Sequence, residues 1–338
     1  MTKLTTAVPA GSGTLILTRS THQARFSTVS FCYPLKLIVP KRHFVDGLQC
    51  VYIVGYGGGM VAGDRIELNV EVKDGSTLVM LTQGSTKIFR LRPGHYLTSP
   101  TSITSTTPTL QTLTTYLDSN STLILLPSPV TCFACSSYSQ TQSFHLSPDR
   151  TSSLVLLDWY TSGRSCMVST SVNGDRSNLL DEESTEQWAF DRYQSMNLIH
   201  LGDRLIVKDV LLLEDETPGS TPNLNSQPEN VHHLRPGPTT YKARLEPYSV
   251  YATLFLFGPR TQSLRNHISS IFSNLTQYPQ AHPYSLIWSY TELEKGQGGI
   301  VRIAAVATEE TKDWIKEVLR GGGIEELVGK DLWGNVFN

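Results

Sequence analysis

The 338-residue chain carries 28 lysine and arginine residues against 30 aspartate and glutamate residues. This balance gives no electrostatic basis for binding nucleic acid, while a hydrophobic content of 39% is enough for a substantial core. The sequence shows neither a signal-peptide pattern nor an apolar run long enough to span a membrane. Its five cysteines are an odd number, which suits reduced thiols, and we expect a cytoplasmic protein.

The first three quarters of the chain predict strands. Short segments rich in Val, Ile, Tyr, Thr and Leu are separated by Gly, Pro, Asp and Ser, and no strand–helix rhythm is present. Residues 1–247 are therefore expected to form a mainly β, mostly antiparallel body, with hairpin turns at Asn173-Gly174 and Gly202-Asp203. The predicted strands are 14–18, 51–56, 66–72, 77–82, 122–126, 140–146, 153–158, 186–200 and 203–213.

A glycine-rich stretch, residues 55–65, leads into a strand with strict alternation of apolar and polar side chains over 66–73. Asp74-Gly75 then predicts a hairpin that returns the chain along 77–82. Such a hairpin would place Asp64 near residues 83–90, where an ion pair with a basic residue is expected. The glycines complete no phosphate-binding pattern, and a strand rather than a helix follows them.

The last quarter predicts a compact α+β tail, residues 248–338. Helical spacing of apolar residues predicts helices over 261–275 and 309–320, and strands are expected over 248–258, 284–290 and 299–307. Two segments read as surface insertions, about 97–109 and 214–240. The second contains His232-His233, which we interpret as part of a solvated loop rather than as a metal site.

No pattern in the sequence builds an active site. Neither G-x-S-x-G nor H-E-x-x-H occurs, so the chain is predicted not to be an enzyme. Cys132 and Cys135 form the C-x-x-C pair, which lacks a second pair for structural zinc and the helix start of a redox site. We interpret both as buried thiols.

Two stretches carry a family resemblance. GGGMVAGDRIELNVEV, residues 57–72, and LTQGSTKIFR, residues 81–90, closely resemble the glycine-rich block of the urease accessory protein UreD (UreH) family. Segments at 125–133, 157–164, 248–258 and 300–307 match later family segments in order, so the resemblance covers nearly the whole chain. It implies a single UreD-like domain over 1–338 with stacked sheets of β-helical topology. The matched positions are Gly58, Gly59, Gly63, Asp64, Gln83, Thr86, Lys87, Arg90, Pro127, Gly163 and Arg164.

The resemblance also implies a function. UreD relatives act as scaffolds in urease maturation, binding apo-urease, a UreF-like adaptor and a UreG-like GTPase, in a complex expected to be a homodimer. Nickel passes through such a protein, so no stably bound cofactor is expected. Asp64, with Asp158 as second choice, is predicted to line the path and contact nickel transiently. Lys87, Arg90 and Arg164 would hold these carboxylates in place, although a purely structural ion-pair network fits the same residues.

Departures from the family pattern are mild: Ala62 replaces a usual glycine and Phe89 a usual tyrosine. The two insertions indicate a eukaryotic, fungal-type member. Two other functions remain open from sequence. One is a β-rich carbohydrate- or peptide-binding module that presents Trp159, Trp188 and Trp288, and the other is a hydrolase with an undetected Ser/His/Asp cluster.

Overall fold

The computed structural model describes residues 8–21, 23–42, 44–90, 108–163, 186–214, 240–277 and 285–337. Most of this part of the chain is strand, and the helices lie near the C-terminus. The strands are β1 Ser12–Ser20, β2 Gln23–Phe31, β3 Leu35–Ile38, β4 Leu48–Gly55, β5 Arg65–Val72, β6 Thr77–Thr82, β7 Thr86–Ile88, β8 Thr109–Leu117, β9 Thr122–Leu126, β10 Val130–Cys132, β11 Ser137–Leu146, β12 Ser153–Thr161, β13 Arg192–Leu201, β14 Arg204–Glu214, β15 Val250–Phe257, β16 Leu286–Leu293 and β17 Gly298–Ala305. The helices are α1 Tyr241–Leu245, α2 Gln262–Gln277, α3 Thr308–Gly321, α4 Ile324–Val328 and α5 Lys330–Trp333.

The described strands form two sheets. A seven-stranded sheet has the order β14-β13-β11-β8-β5-β1-β2, and a ten-stranded sheet has the order β16-β17-β15-β12-β9-β6-β4-β3, with β7 and β10 attached beside β12. From β4 to β13 the chain passes back and forth between the two sheets. As a result, neighbours in the middle of each sheet are parallel, including β5 with β8, β8 with β11, and β6 with β9.

Two expectations about pairing are wrong. The body is not mostly antiparallel, and Asp74-Gly75 is not a hairpin turn, because β5 belongs to the seven-stranded sheet and β6 to the ten-stranded sheet. The turn from Lys73 to Ser76 instead carries the chain across the core from one sheet to the other. The side chains of β5 and β6 therefore face each other, and each strand forms backbone hydrogen bonds within its own sheet, β5 with β8 and β6 with β4. The mainly β class itself is confirmed.

Two apolar layers stabilise the fold. The layer between the sheets contains buried side chains from both, such as Leu68 and Val70 of β5 opposite Leu78 and Met80 of β6. A second layer packs the outer side of the ten-stranded sheet against α2 to α5. This cover buries both faces of central strands such as β6 and β9, whereas β5 keeps one face in solvent.

The expected helices over 261–275 and 309–320 are confirmed as α2 and α3, and the Gly202-Asp203 hairpin joins β13 to β14. The tail strands β15, β16 and β17 continue the ten-stranded sheet beyond β12. Strands β2, β3, β7, β8 and β10 were missing from the sequence-based prediction. Asn173-Gly174 and most of both insertions lie outside the described residues, and none of the described helices is long and apolar enough to cross a membrane.

Candidate functional site

The glycine-rich loop docks onto β7. The backbone N–H of Met60 donates to the carbonyl of Lys87 at 2.8 Å, and the N–H of Phe89 donates to the carbonyl of Met60 at 2.8 Å. Gly59 lies so close to this strand that a β-carbon there would stand 2.4 Å from the Lys87 carbonyl oxygen. The two family stretches are therefore close together, as predicted. The docking of the glycine-rich loop onto β7 brings them together, not a hairpin.

A cavity of about 280 Å³ lies behind this loop. Its wall combines the glycine loop, the segments that follow β6 and β9, and inward-facing positions of β8, β11 and β12. Several matched family positions meet here, because Gly58, Gly59, Gln83, Thr86 and Pro127 all line it. The polar lining is completed by Thr82, Ser85, Gln111, Ser128, Gln140, Gln142 and Asp158.

Asp158 supplies the carboxylate of this cavity. It projects from β12 towards the seven-stranded sheet and accepts three side-chain hydrogen bonds. Gln140 Nε2 donates to Oδ1 at 2.7 Å, while Ser195 Oγ and Asn197 Nδ2 each donate to Oδ2 at 2.6 Å. Burial raises the pKa of Asp158, and the three hydrogen bonds act in the opposite direction. The group is thus a buried carboxylate held in one orientation by neutral donors.

Polar side chains around Asp158 interrupt an otherwise apolar interior. Gln142 Nε2 donates to Asn197 Oδ1 at 3.1 Å, and the Tyr138 hydroxyl donates to the side-chain oxygens of Gln111 and Gln140. No motif marked these residues. The sequence indicates them only by their position, because Gln140 and Gln142 occupy the same face of β11 as the buried residues Tyr138, Phe144 and Leu146.

Asp64 lies outside the cavity lining. Its Oδ2 accepts the backbone N–H of Val61 at 2.9 Å, which closes the loop before β5. Burial raises the pKa of Asp64, and this backbone hydrogen bond lowers it. The expected ion pair with Lys87 or Arg90 is absent among the described residues. Asp64 therefore closes the loop before β5 rather than pairing with a basic residue.

The remaining predicted residues are scattered. Lys87 and Arg90 are exposed, Gly63 is in the left-handed region with φ 86°, and Gly163 lies against the carbonyls of Cys132 and Glu186. Arg164 and His232-His233 lie outside the described residues. Cys132 is buried as expected, but Cys135 is exposed because the chain turns out to solvent after β10.

The aromatic platform of a carbohydrate-binding module is not formed. Trp159 and Trp188 are buried, and Trp288 packs against Phe272 and Trp314. Within the described ranges, no group of three or more His, Cys, Asp or Glu side chains is arranged to hold a metal ion.

Comparison with known proteins decides the family. The model of the family described as UreD urease accessory protein matches residues 10–178 and 181–331. This chain belongs to the UreD family. Members of this family are accessory proteins rather than enzymes.

Relatives of this UreD-family chain come from fungi, plants and bacteria. It is 37% identical over 331 residues to "Urease accessory protein 4" of Cryptococcus neoformans var. grubii, covering 96% of this chain and 94% of that protein. It is 30% identical to an uncharacterized ureD-like urease accessory protein of Schizosaccharomyces pombe, covering 87% and 88%, respectively. "Urease accessory protein D" of Arabidopsis thaliana is 28% identical, covering 92% and 94%.

Proposed function

We propose that this protein is a non-catalytic scaffold in urease maturation. It binds apo-urease together with a UreF-like adaptor and a UreG-like GTPase, in a homodimeric complex, and helps deliver nickel to urease. Family membership over nearly the whole chain and relatives named as urease accessory proteins support this role. The sequence contains no phosphate-binding loop, so the energy of GTP hydrolysis has to come from the partner GTPase.

The observation that carries the delivery role is the polar cavity whose lining includes Asp158. Nickel(II) is held strongly by clustered imidazoles and thiolates, so a conduit works best with isolated oxygen ligands that release the ion again. The cavity offers such a set, with one carboxylate, the amides of Gln140 and Gln142 and the hydroxyls of Thr82 and Ser128. We therefore propose nickel as transported cargo and no stably bound cofactor.

A second cavity supports passage across the ten-stranded sheet. It has a volume of about 380 Å³ and lies on the helical side, where Glu309 and Lys312 of α3 reach its wall. Gly84, Ser85, Ser128 and Trp159 line both cavities. Strand β9 ends at Leu126, and the segments around Gly84 and Ser128 thus form the partition between the two spaces. We propose that an ion crosses the sheet at this partition.

We propose Asp158, rather than Asp64, as the first candidate for the transient nickel contact. Asp158 faces the cavity, whereas Asp64 closes the loop beside it. Lys87 and Arg90 are exposed, and neither forms an ion pair with Asp64 or Asp158 among the described residues. We also interpret the alternation of β4 to β13 between the sheets as the β-helical arrangement that the family resemblance implies.

Asp158→Asn tests the delivery role, because it removes the charge and keeps the shape. Apo-urease, the adaptor, the GTPase, GTP and nickel are combined with each variant, and both urease activity and bound nickel are measured over time. We expect slower nickel loading with Asp158→Asn, although complex formation on gel filtration stays normal. Asp64→Asn is the matched control and should load urease at close to the wild-type rate.

Two outcomes contradict the proposal in different places. Nickel loading at the wild-type rate with Asp158→Asn would remove the ion-contact role of this residue. Failure of the wild-type chain to co-purify with urease subunits and a UreF-like protein would remove the scaffold role itself.

A further inference from the structure

The polar side chains around Asp158 continue beyond the cavity towards one edge of the sandwich. In the seven-stranded sheet, register places Gln142 of β11 beside Asn197 of β13, and Asn197 beside Asp209 of β14. In the ten-stranded sheet, Asp158 of β12 pairs with Thr253 of β15, which pairs with Arg302 of β17. The two rows face each other across the core. We call these six residues the polar belt.

Exposure rises steeply along the belt. Asn197, which donates to Asp158, is 1% exposed, whereas the side chain of Asp209 is 19% exposed and that of Arg302 is 54% exposed. In the seven-stranded sheet, Asn197 and then Asp209 follow the buried carboxylate of Asp158 towards this edge. Asp158 and Asp209 also interact electrostatically, since the charge of Asp209 contributes to the raised pKa of Asp158.

The two ends of the belt meet in an ion pair. Arg302 Nη2 lies 2.5 Å from Asp209 Oδ1, which ties the edge strand of one sheet to the other sheet. Apolar side chains of the core flank the belt on one side, with Ile199 and Val207 in one sheet and Phe255 and Ile300 in the other. A positive guanidinium at this point neutralises Asp209 and repels other cations from the end of the belt.

We propose that the gap between β14, the edge strand of one sheet, and β17 of the other sheet is a lateral portal to the Asp158 site, and that Arg302 is its gate. With the Arg302–Asp209 pair formed, the portal is closed both sterically and electrostatically. Movement of Arg302 away from Asp209 leaves a short path lined by oxygen ligands from Asp209 through Asn197 to Asp158. A half-exposed guanidinium held by one carboxylate is suited to this task because ion pairs with an exposed partner are weak.

Site-resolved thiol labelling tests the portal in the purified full-length chain. Asn197→Cys places a reporter behind the gate, and a small methanethiosulfonate reagent followed by mass spectrometry separates its labelling from that of the native cysteines. Adding Arg302→Ala should accelerate labelling about two- to fivefold, the range that corresponds to loss of an exposed ion pair. Arg302→Lys keeps the charge and should label at close to the parent rate.

Gln142→Cys is the matched control. Gln142 lines the cavity behind the glycine loop and lies one strand further from the edge than its register neighbour Asn197. Its labelling should therefore not respond to Arg302→Ala. Thr253→Cys is a second reporter on the opposite sheet, and it decides the question if Asn197→Cys does not fold. Unchanged labelling of both reporters in Arg302→Ala would overturn the portal. An equal acceleration at Gln142→Cys would also overturn it, since the edge would then have loosened as a whole.

Use of this portal by nickel rests on the proposed delivery role, but the labelling experiment contains neither nickel nor urease. Normal urease loading with Asp158→Asn would therefore reject nickel contact at Asp158 and leave the portal standing. Unchanged labelling would reject the portal and leave the delivery role standing.

Discussion

The glycine loop and the polar belt each contain one of the two carboxylates predicted from the family resemblance, and they use them differently. Asp64 accepts one backbone hydrogen bond and closes a loop, whereas Asp158 accepts three side-chain hydrogen bonds inside the core. The more recognisable motif therefore shapes the wall of the cavity, and the less conspicuous strand position supplies its charge. Substitutions that affect one region and spare the other test this division.

The largest difference is expected from removing each carboxylate. Asp158→Ala leaves the donors of Gln140, Ser195 and Asn197 without their acceptor in the core, and should lower the free energy of unfolding by about 3 kcal/mol or more. Asp64→Ala loses one backbone hydrogen bond and should cost about 1 kcal/mol. Urea unfolding followed by circular dichroism measures both. Equal losses for the two variants would break the comparison.

A smaller effect is expected in the glycine loop. Gly59→Ala places a methyl group against the Lys87 carbonyl, so the loop must move away from β7, at a cost of about 2 kcal/mol. Gly57→Ala is the control, because its β-carbon meets open space and only the left-handed backbone (φ 74°) resists it, at about 1 kcal/mol. Thermal unfolding of the two variants ranks them. A greater loss for Gly57→Ala would show that close approach to β7 is not what requires glycine at position 59.

Twelve of the seventeen described strands could be predicted from the sequence, but strand partners could not. The alternation of IELNVEV predicted β5 because one face of that strand is in solvent, and the uninterrupted apolar runs TLVMLT and TLILL match β6 and β9, which are buried on both faces. The same contrast would have argued against a hairpin, since β5 and β6 have different environments. A short turn fixes the reversal of the chain but does not determine whether the two strands share a sheet.

The site was predicted in part for a similar reason. Matched family positions such as Gly59, Gln83 and Thr86 do meet at one cavity. The donors to Asp158 come from β11 and β13 of the seven-stranded sheet, whereas Asp158 is in β12 of the ten-stranded sheet. They meet only because the two sheets pack face to face, and the local sequence does not show which strands face each other. Polar residues in phase with a buried apolar face are the available signal, as Gln140 and Gln142 show.

The smallest expected effect is a change of the free energy of unfolding with pH, of opposite sign for Asp158 and Asp149. Burial raises the pKa of Asp158 above its ordinary value of 3.8, so the folded state favours the protonated form. Wild type should therefore gain stability relative to Asp158→Asn as pH falls from neutral towards 3.8. Asp149 is the control, because hydrogen bonds from Ser119, Ser147 and Thr151 lower its pKa.

The stability that Asp149 contributes is present above its ordinary pKa of 3.8 and is lost as pH falls towards its lowered value. The difference in unfolding free energy between wild type and Asp149→Asn should therefore shrink on acidification, whereas the difference between wild type and Asp158→Asn should move in favour of wild type. Urea unfolding of the three proteins from neutral pH to below 3.8 gives both slopes, since the Asp158 window lies above this value and the Asp149 window below it. The same sign for the two carboxylates would mean that hydrogen bonds rather than burial dominate the pKa of Asp158. The three donors would then compete with a passing cation for this carboxylate.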